Sequence, residues 1–169
     1  MMNQIHFIEG PVGAGKSTYA KALAKSGGFT HIALDEWFVR LYSPDRPAGN
    51  FVPWYVARKD RLIDLILSYA RTVLATHSIA LELGLIQQGP RLALLRQLQE
   101  EGVPFCVHVL DAPKSVRRER VQRRNTEQGE TFSMVVPDDI FEIASSMWEE
   151  PDEFEQEEFE FIFPASAKR

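Results

Sequence analysis

Eight consecutive residues near the N-terminus have the types and spacing of a phosphate-binding loop. They match the pattern G-x-x-x-x-G-K-[ST], follow an apolar strand-like run at residues 4–8 and lead into a helical pattern. Glycines let successive backbone N–H groups converge on one point, to which the helix also directs its positive dipole end. We expect the lysine to reach nucleotide phosphates and the serine hydroxyl to ligate Mg²⁺, roles that a mere connecting turn would leave unexplained. The predicted site comprises Gly10, Pro11, Val12, Gly13, Ala14, Gly15, Lys16 and Ser17, with Thr18 next in the chain.

Carboxylates after the second and third predicted strands could do chemistry beside this anion site. Asp35 and Glu36 follow the strand-like residues 29–34, and Glu82 lies near the end of residues 79–83. A carboxylate that faces the γ-phosphate can accept the proton of an incoming hydroxyl as a general base. We assign this role to Asp35, because Glu36 would point elsewhere in an extended backbone; the competing interpretation of Asp35 is a helix N-cap. Glu82 is expected near Mg²⁺, or else as a surface carboxylate.

The densest cluster of positive charge lies on a predicted helix at residues 115–124. Arg117, Arg120 and Arg124 are spaced at i, i+3 and i+7, so they share one helical face. Guanidinium groups on a closing lid can neutralise the charge that phosphoryl transfer spreads over oxygen atoms. We therefore predict a basic lid at about residues 114–136. The alternative is a solvated basic face attracted to the acidic C-terminal segment.

Several other polar and aromatic residues are open to more than one interpretation. Arg91, at the start of a predicted helix, could contact substrate or phosphate, and Cys106 is interpreted as a buried thiol in an apolar strand. Aromatic and basic residues alternate between positions 37 and 59, where they could line a pocket for a flat or anionic small molecule or pack in the core. None of the four histidines has a neighbour at metal-ligand spacing, so we interpret all of them as structural: His6, His31, His77 and His108.

Strand and helix patterns alternate along the chain in the manner of a doubly wound α/β fold. Helices are expected from position 53 to about 77 and at residues 90–101, 115–124 and 140–148, with an irregular stretch at residues 37–55. This alternation predicts a parallel sheet with helices on both faces. Ligands in such sheets bind beyond the carboxyl ends of the strands, the edge that carries the phosphate-binding loop, Asp35 and Glu82. The five predicted strands lie at residues 4–8, 29–34, 79–83, 104–110 and 159–163.

Composition limits the protein to a few classes. Its 169 residues suit one domain, 1–169, and the single cysteine excludes a disulfide within the chain. The net charge of −5 argues against nonspecific binding of nucleic acid, and eight acidic residues are concentrated in the segment 149–160. Because no signal peptide or membrane-spanning run is evident, we expect a cytoplasmic protein without membrane contact, either a monomer or a homodimer.

The chain resembles the P-loop kinases that include chloramphenicol phosphotransferase and the zeta toxins and, more distantly, adenylylsulfate and nucleoside monophosphate kinases. The resemblance covers about residues 4–155 and rests on GPVGAGKST, on Leu34-Asp35-Glu36-Trp37, on Ala80-Leu81-Glu82-Leu83-Gly84 with Arg91, and on residues 110–113 with the arginines that follow. It implies an AAA-type, nucleoside-kinase-like P-loop NTPase domain with a five-stranded parallel sheet, which binds ATP and Mg²⁺. It also implies transfer of the γ-phosphate to a hydroxyl of a small molecule.

Site roles in this kinase group carry over to a few positions. The aspartate after the second strand acts as the base, which corresponds to Asp35. Lid-helix arginines stabilise the phosphates, which implies catalytic roles for Arg120 and Arg124 beside Lys16, whereas Arg117 and Arg123 match less closely. Nucleoside monophosphate kinases have Asp-Gly where this chain has Glu82-Leu83-Gly84, which weakens a nucleotide-kinase assignment and a direct metal contact for Glu82.

Two functions remain open from the sequence. The first is an ATP- and Mg²⁺-dependent kinase with a small-molecule acceptor. The second is a nucleotide-dependent switch or accessory ATPase that acts through a protein partner. ATP is favoured over GTP because the chain has no Asn-Lys-x-Asp motif.

Overall fold

Five parallel strands form the centre of the molecule. The computed structural model of the protein describes residues 2–130 and 132–165. The sheet has the order β2-β3-β1-β4-β5, and every neighbouring pair is parallel. This topology confirms the predicted P-loop NTPase fold, and it places the end of β1, where the phosphate-binding loop begins, in the middle of the sheet. The strands are β1 (Ile5–Glu9), β2 (Thr30–Ala33), β3 (Ile79–Glu82), β4 (Phe105–Val109) and β5 (Phe161–Ile162).

Helices cover both faces of the sheet, and alternate residues of each strand face opposite layers. Phe7 of β1 packs with α3 and α4 in the larger core, whereas Ile8 packs with Ala20 of α1 on the opposite face. Both faces of the central strands are therefore covered by helices, as expected of a parallel sheet. Among the described residues, no helix combines the length and the apolar character needed to span a bilayer. The helices are α1 (Lys16–Gly27), α2 (Leu34–Tyr42), α3 (Phe51–Val73), α4 (Gln88–Glu100), α5 (Lys114–Glu127), α6 (Asp138–Met147) and α7 (Glu153–Glu158).

The segment predicted to be irregular, residues 37–55, is largely helical. It contains most of α2, a 3₁₀ turn at Ser43–Asp45 and the start of α3. Its prolines do not interrupt these elements, because Pro44 lies in the 3₁₀ turn and Pro53 in the first turn of α3, where a backbone N–H has no helical partner to lose. The prediction of irregular structure there was wrong.

The second strand ends earlier than predicted. Leu34 begins α2, so Asp35 and Glu36 lie in the first turn of this helix. The residue at the N-cap is Ala33, which rules out the interpretation of Asp35 as the cap. Acidic side chains in a first turn are favoured by the helix dipole, which explains the position of both carboxylates.

Candidate active site

The backbone of the phosphate-binding loop requires glycine at two positions. Gly10 has φ +149° and Gly13 has φ +79°, values that other residues adopt only with strain. A Cβ atom on Gly10 would lie 2.2 Å from the Leu110 carbonyl oxygen, and one on Gly13 would lie 2.6 Å from the Arg117 carbonyl oxygen. The loop is thus packed tightly between the end of β4 and the side of α5.

Lys16 and Ser17 lie at the start of α1, directly after the loop. The Lys16 ammonium donates hydrogen bonds to the carbonyl oxygens of Gly10 and Pro11, at 2.8 and 2.9 Å. Burial lowers the pKa of Lys16, and the negative charges of Glu9, Glu82 and Asp35 oppose that shift. The ammonium therefore lies in a half-buried position within electrostatic range of three carboxylates.

Glu82, at the carboxyl end of β3, joins the loop to β2. Its Oε1 accepts a hydrogen bond from the Ser17 hydroxyl at 2.9 Å, and its Oε2 lies 2.6 Å from His31 Nε2. Glu82 is only 8% exposed. The interpretation of Glu82 as a surface carboxylate is therefore wrong, and its pairing with Ser17 brings together two oxygen-bearing side chains of the kind that Mg²⁺ prefers.

Asp35 lies in the first turn of α2, and its side chain is exposed. Its negative charge opposes the lowering of the pKa of Lys16 at the start of α1 and of Arg124 on α5. Together with burial, the same charge raises the pKa of Tyr55 on α3 to about 12. The Asp35 carboxylate is thus within electrostatic range of the loop, the predicted lid helix and the aromatic region.

Two of the three arginines that were predicted to share one face of α5 contact the loop. Arg117 is 7% exposed and donates to the Val12 carbonyl oxygen at 3.0 Å, while Nη1 of Arg120 lies 3.3 Å from the Ala14 carbonyl oxygen. Burial lowers the pKa of Arg124, opposed by Asp35 and Glu82. Arg124 Nε is buried and has no hydrogen-bond partner within residues 2–130 and 132–165. Contacts of these arginines with phosphate stay predictions.

A neighbouring face of α5 pairs with α6. Lys114 and Arg118 both form ion pairs with Glu142, and Arg118 also lies over the Phe141 ring, 5.4 Å from its centre. The acidic C-terminal segment makes no recorded ion pair with α5 in the described part of the chain. The alternative of a solvated basic face that attracts this segment does not hold for Arg117, which is buried; for the other basic residues it stays an alternative.

The polar segment that follows α5 lies over α1. Asn125 holds it through two hydrogen bonds with the Val136 backbone, at 2.8 and 2.9 Å, and Lys21 donates to the Glu130 carbonyl oxygen at 2.6 Å. Below it lies a cavity of about 250 Å³. Residues that line this cavity include Ser17, Lys21, His31, Glu36, Arg40 and Phe132.

The residues at this edge of the sheet fit a nucleotide and a divalent cation. The loop leads into the N-terminus of α1, whose backbone N–H groups can approach an anion, and Lys16 adds a positive charge beside it. Ser17 and Glu82 supply adjacent oxygen atoms. The buried, unpartnered Arg124 Nε supplies a donor that a phosphate oxygen could satisfy.

A family model described as an AAA domain matches residues 5–142. The chain belongs to this AAA domain family. A curated relative, an adenylate kinase of Trypanosoma brucei rhodesiense, is 30% identical over 121 residues, which are 70% of this chain and 58% of that protein. The chain thus spans a little more than half of that relative. The resemblance to nucleoside-kinase-like P-loop domains is confirmed.

Solved structures share the fold of this AAA domain. A gluconokinase from Sinorhizobium meliloti superposes with a TM-score of 0.56 at 18% identity, over 97% of this chain and 84% of that one. Kti12 of Chaetomium thermophilum, solved in complex with ADP-AlF3, gives a TM-score of 0.68 at 17% identity, over 95% and 88%. At these identities the likeness establishes the fold, and the family supports nucleotide binding by the P-loop.

Arg91 of the AAA domain does not lie where substrate could reach it. Its side chain is completely buried and forms two hydrogen bonds with the Glu155 carboxylate, at 3.0 and 2.8 Å, and one with the Leu85 carbonyl oxygen at 3.1 Å. The suggested contact with substrate or phosphate was wrong. Arg91 instead anchors the acidic segment 149–160, which includes α7 and packs on α4.

The aromatic and basic residues of α2 and α3 stack on one another. Phe38 is buried in the core and lies 4.9 Å from Tyr55, measured between ring centres. The Arg58 guanidinium lies 4.4 Å from the centre of the Trp54 ring. Core packing therefore accounts for Phe38. The half-buried rings, with the arginine side chains that lie over them, form the rim beside Asp35.

Glu9 is a buried acid that sequence reasoning missed. It is completely buried at the end of β1; its Oε2 accepts a hydrogen bond from the Leu85 N–H at 2.9 Å, and its Oε1 has no partner among the described residues. Burial raises its pKa to about 7, despite the opposing positive charge of Lys16. A carboxylate directly before Gly10, at the ligand-binding edge of a central strand, was the available signal.

Proposed function

We propose that this AAA domain transfers the γ-phosphate of ATP to a hydroxyl group of a small molecule, with Mg²⁺ as cofactor and Asp35 as general base. The observation that carries the proposal is the position of Asp35. Its charge acts on Lys16 of the P-loop, Arg124 of α5 and Tyr55 of α3. A hydroxyl near Asp35 would have the nucleotide site on one side and the aromatic rim on the other.

Each charged group has a task in this proposal. Lys16 would exchange its bonds with the Gly10 and Pro11 carbonyl oxygens for phosphate oxygens, and Ser17 and Glu82 would hold Mg²⁺, Glu82 directly or through water. Bound Mg-ATP supplies an electrophilic phosphorus atom and a metal charge that offsets the negative charge on its oxygens.

The remaining side chains act on the acceptor hydroxyl and on the negative charge of the transferred phosphoryl group. Asp35 would take the proton of the acceptor hydroxyl as its oxygen bonds to phosphorus and the bond to ADP breaks. Arg120, directed at the loop from α5, and Arg124, whose charge interacts with those of Lys16, Asp35 and Glu82, would neutralise charge on the transferred group. The names of the adenylate kinase relative and of the gluconokinase with the same fold support a kinase.

The rim beside Asp35 suggests the class of acceptor. Tyr55, Arg58 and Lys59 lie half-buried on successive turns of α3, and Lys59 Nζ is 3.4 Å from the Gly84 carbonyl oxygen at the end of β3. Such a surface would suit a flat or anionic molecule that carries a hydroxyl group.

The test measures ADP release from Mg-ATP across a panel of hydroxyl-bearing metabolites, nucleosides and antibiotics, with mass spectrometry of the products. Asp35→Asn should retain nucleotide binding and lose about 10²- to 10⁴-fold in kcat, the usual contribution of a general base. Asp64→Asn makes the same change on an exposed part of α3 and serves as the matched control.

Two outcomes would contradict the proposal. If Asp35→Asn and Asp64→Asn turn over alike with a phosphorylated acceptor, Asp35 is not the base. If ATP binds but no acceptor gains a phosphoryl group, the nucleotide-dependent switch becomes the better hypothesis.

A further inference from the structure

The strongest unassigned feature is a cluster of three potential metal ligands on the α1 face of the sheet. His6 lies on β1 directly opposite Cys106 on β4, and His108 is two residues further along β4. The three side chains therefore share one face, although they are far apart in sequence. Cys106 and His108 are buried, and His6 is half-buried.

The three ligand atoms surround one point. His6 Nδ1 lies 2.9 Å from His108 Nε2, and Cys106 Sγ lies 3.3 Å from the first nitrogen and 3.5 Å from the second. A point equidistant from the three atoms is about 1.9 Å from each, slightly less than the roughly 2.0–2.3 Å of zinc–nitrogen and zinc–sulfur bonds. An ion slightly outside their plane would reach all three.

We propose that His6, Cys106 and His108 form a binding site for a zinc ion, separate from the nucleotide site. One thiolate and two imidazoles suit zinc and exclude the hard cations Mg²⁺ and Ca²⁺, which require oxygen ligands. Three protein ligands leave a fourth position for water on the half-buried side, next to His6.

Surrounding residues orient the ligands. The Tyr19 hydroxyl lies 2.7 Å from His108 Nδ1, so its oxygen can accept a hydrogen bond from the Nδ1–H group while Nε2 directs its lone pair at the ion. The His6 ring stacks on Phe29, with 4.8 Å between ring centres. Burial and the charge of Glu160 raise the pKa of the Cys106 thiol to about 12, so zinc would displace the thiol proton into solvent as the Zn–S bond forms.

The proposed ion would join β1 to β4. Because β1 leads directly into the P-loop, zinc would stiffen the strand that positions the nucleotide site, without contact with the phosphates. Binding to the folded chain alone would also raise the temperature of unfolding.

Metal binding to the full chain tests this proposal. The chain, treated with a chelator and kept reduced, is titrated with Zn²⁺ against a chromophoric chelator, and with Co²⁺ to detect the thiolate-to-metal absorption band. We expect one equivalent of tight binding. Cys106→Ala and His6→Gln should weaken it by more than about 100-fold, since loss of a hydrogen-bonded outer partner alone costs roughly 10- to 100-fold. Tyr19→Phe, which removes such a partner, should fall within that smaller range.

Two control variants separate this site from others. His77→Gln removes a histidine whose ring nitrogens lie within hydrogen-bonding distance of the hydroxyls of Thr30 and Thr76, so zinc binding should not change. Glu82→Gln disrupts the Ser17–His31–Glu82 cluster, and it too should leave zinc binding and the cobalt band intact.

Circular dichroism confirms that each variant is folded before titration; His6→Gln, at the half-buried rim, keeps the test valid if Cys106→Ala does not fold. Equal affinity in the wild type and in His6→Gln, or loss of binding in Glu82→Gln instead, would overturn the proposal.

Discussion

The buried ion pair between Arg91 and Glu155 provides a sharp test of how the acidic segment is held. Both side chains are 0% exposed, and two parallel hydrogen bonds join them. Glu155→Gln keeps the shape but leaves the Arg91 charge buried without a counter-charge. Breaking one partner of such a pair costs about 3–5 kcal/mol. For a chain of this length, that loss corresponds to a fall in the unfolding midpoint of roughly 6–20 °C.

A second pair joins the same two helices and serves as the control. Arg96 and Glu158 also form two hydrogen bonds, at 2.8 Å each, but their side chains are 54% and 31% exposed. Glu158→Gln should leave the unfolding midpoint nearly unchanged, because water solvates both partners. Both pairs form two hydrogen bonds and differ mainly in burial; Glu155 also accepts a hydrogen bond from the Asp152 N–H, which the side-chain oxygen of glutamine can still accept.

Urea unfolding monitored by circular dichroism measures both variants and the double variant Arg91→Met/Glu155→Leu. The double variant should lose less stability than Glu155→Gln, because it removes both charges and fills the space with apolar atoms. If Glu155→Gln costs no more than Glu158→Gln, burial does not determine the contribution of this pair and the reasoning fails.

Two further predictions concern the residues around the P-loop. Gly13→Ala should destabilise the chain by about 2–4 kcal/mol and weaken nucleotide binding, because the added Cβ would lie 2.6 Å from the Arg117 carbonyl oxygen and the backbone has φ +79°. Nucleotide binding is measured by calorimetric titration. Gly89→Ala is the control, since no atom lies within 4 Å of a Cβ added there. Burial raises the pKa of Glu9 to about 7 in the folded chain, so the folded state binds a proton at Glu9 more tightly than the unfolded state does. Protonated Glu9 therefore contributes stability that is complete below about pH 4.5 and is lost as pH rises through 7. Glu9→Gln should therefore remove on the order of 3 kcal/mol of this pH dependence in urea unfolding, and a variant with the wild-type pH profile would refute the assignment.

The sequence carried enough information for the sheet and the P-loop. Four apolar strands and the Gly10 to Ser17 motif depend on local patterns, and all lie where they were predicted. The α2 helix was missed because Pro44, Pro47 and Gly49, which follow it closely, suggested irregular structure. A local signal for α7 was present but overlooked: Asp152 and Glu155 have the spacing of a capping box, and the structure contains both of its hydrogen bonds.

Long-range pairs were beyond the reach of sequence patterns. Arg91 and Glu155 are 64 residues apart, and nothing local distinguishes an arginine that binds phosphate from one that pairs inside the fold. His6 and Cys106 are likewise brought together only by the register of β1 with β4, which depends on tertiary structure. The interpretation of His6 and His108 as merely structural rested on sequence spacing, which does not describe neighbours across a sheet.

Glu9 connects the buried interior to the nucleotide site through Lys16. Among the carboxylates near Lys16, Glu9 attracts the ammonium most strongly. When Glu9 is protonated, its negative charge no longer offsets the positive charge of Lys16, so Lys16 attracts an anion more strongly. Nucleotide affinity should therefore rise as pH falls through about 7, the pKa that burial gives Glu9, and should vary less with pH in Glu9→Gln. Titration calorimetry with ADP between pH 6 and 8 measures both, after correction for the second phosphate ionisation of the nucleotide, which has the same effect on both proteins. Parallel profiles for the two proteins would show that Lys16 does not respond to Glu9.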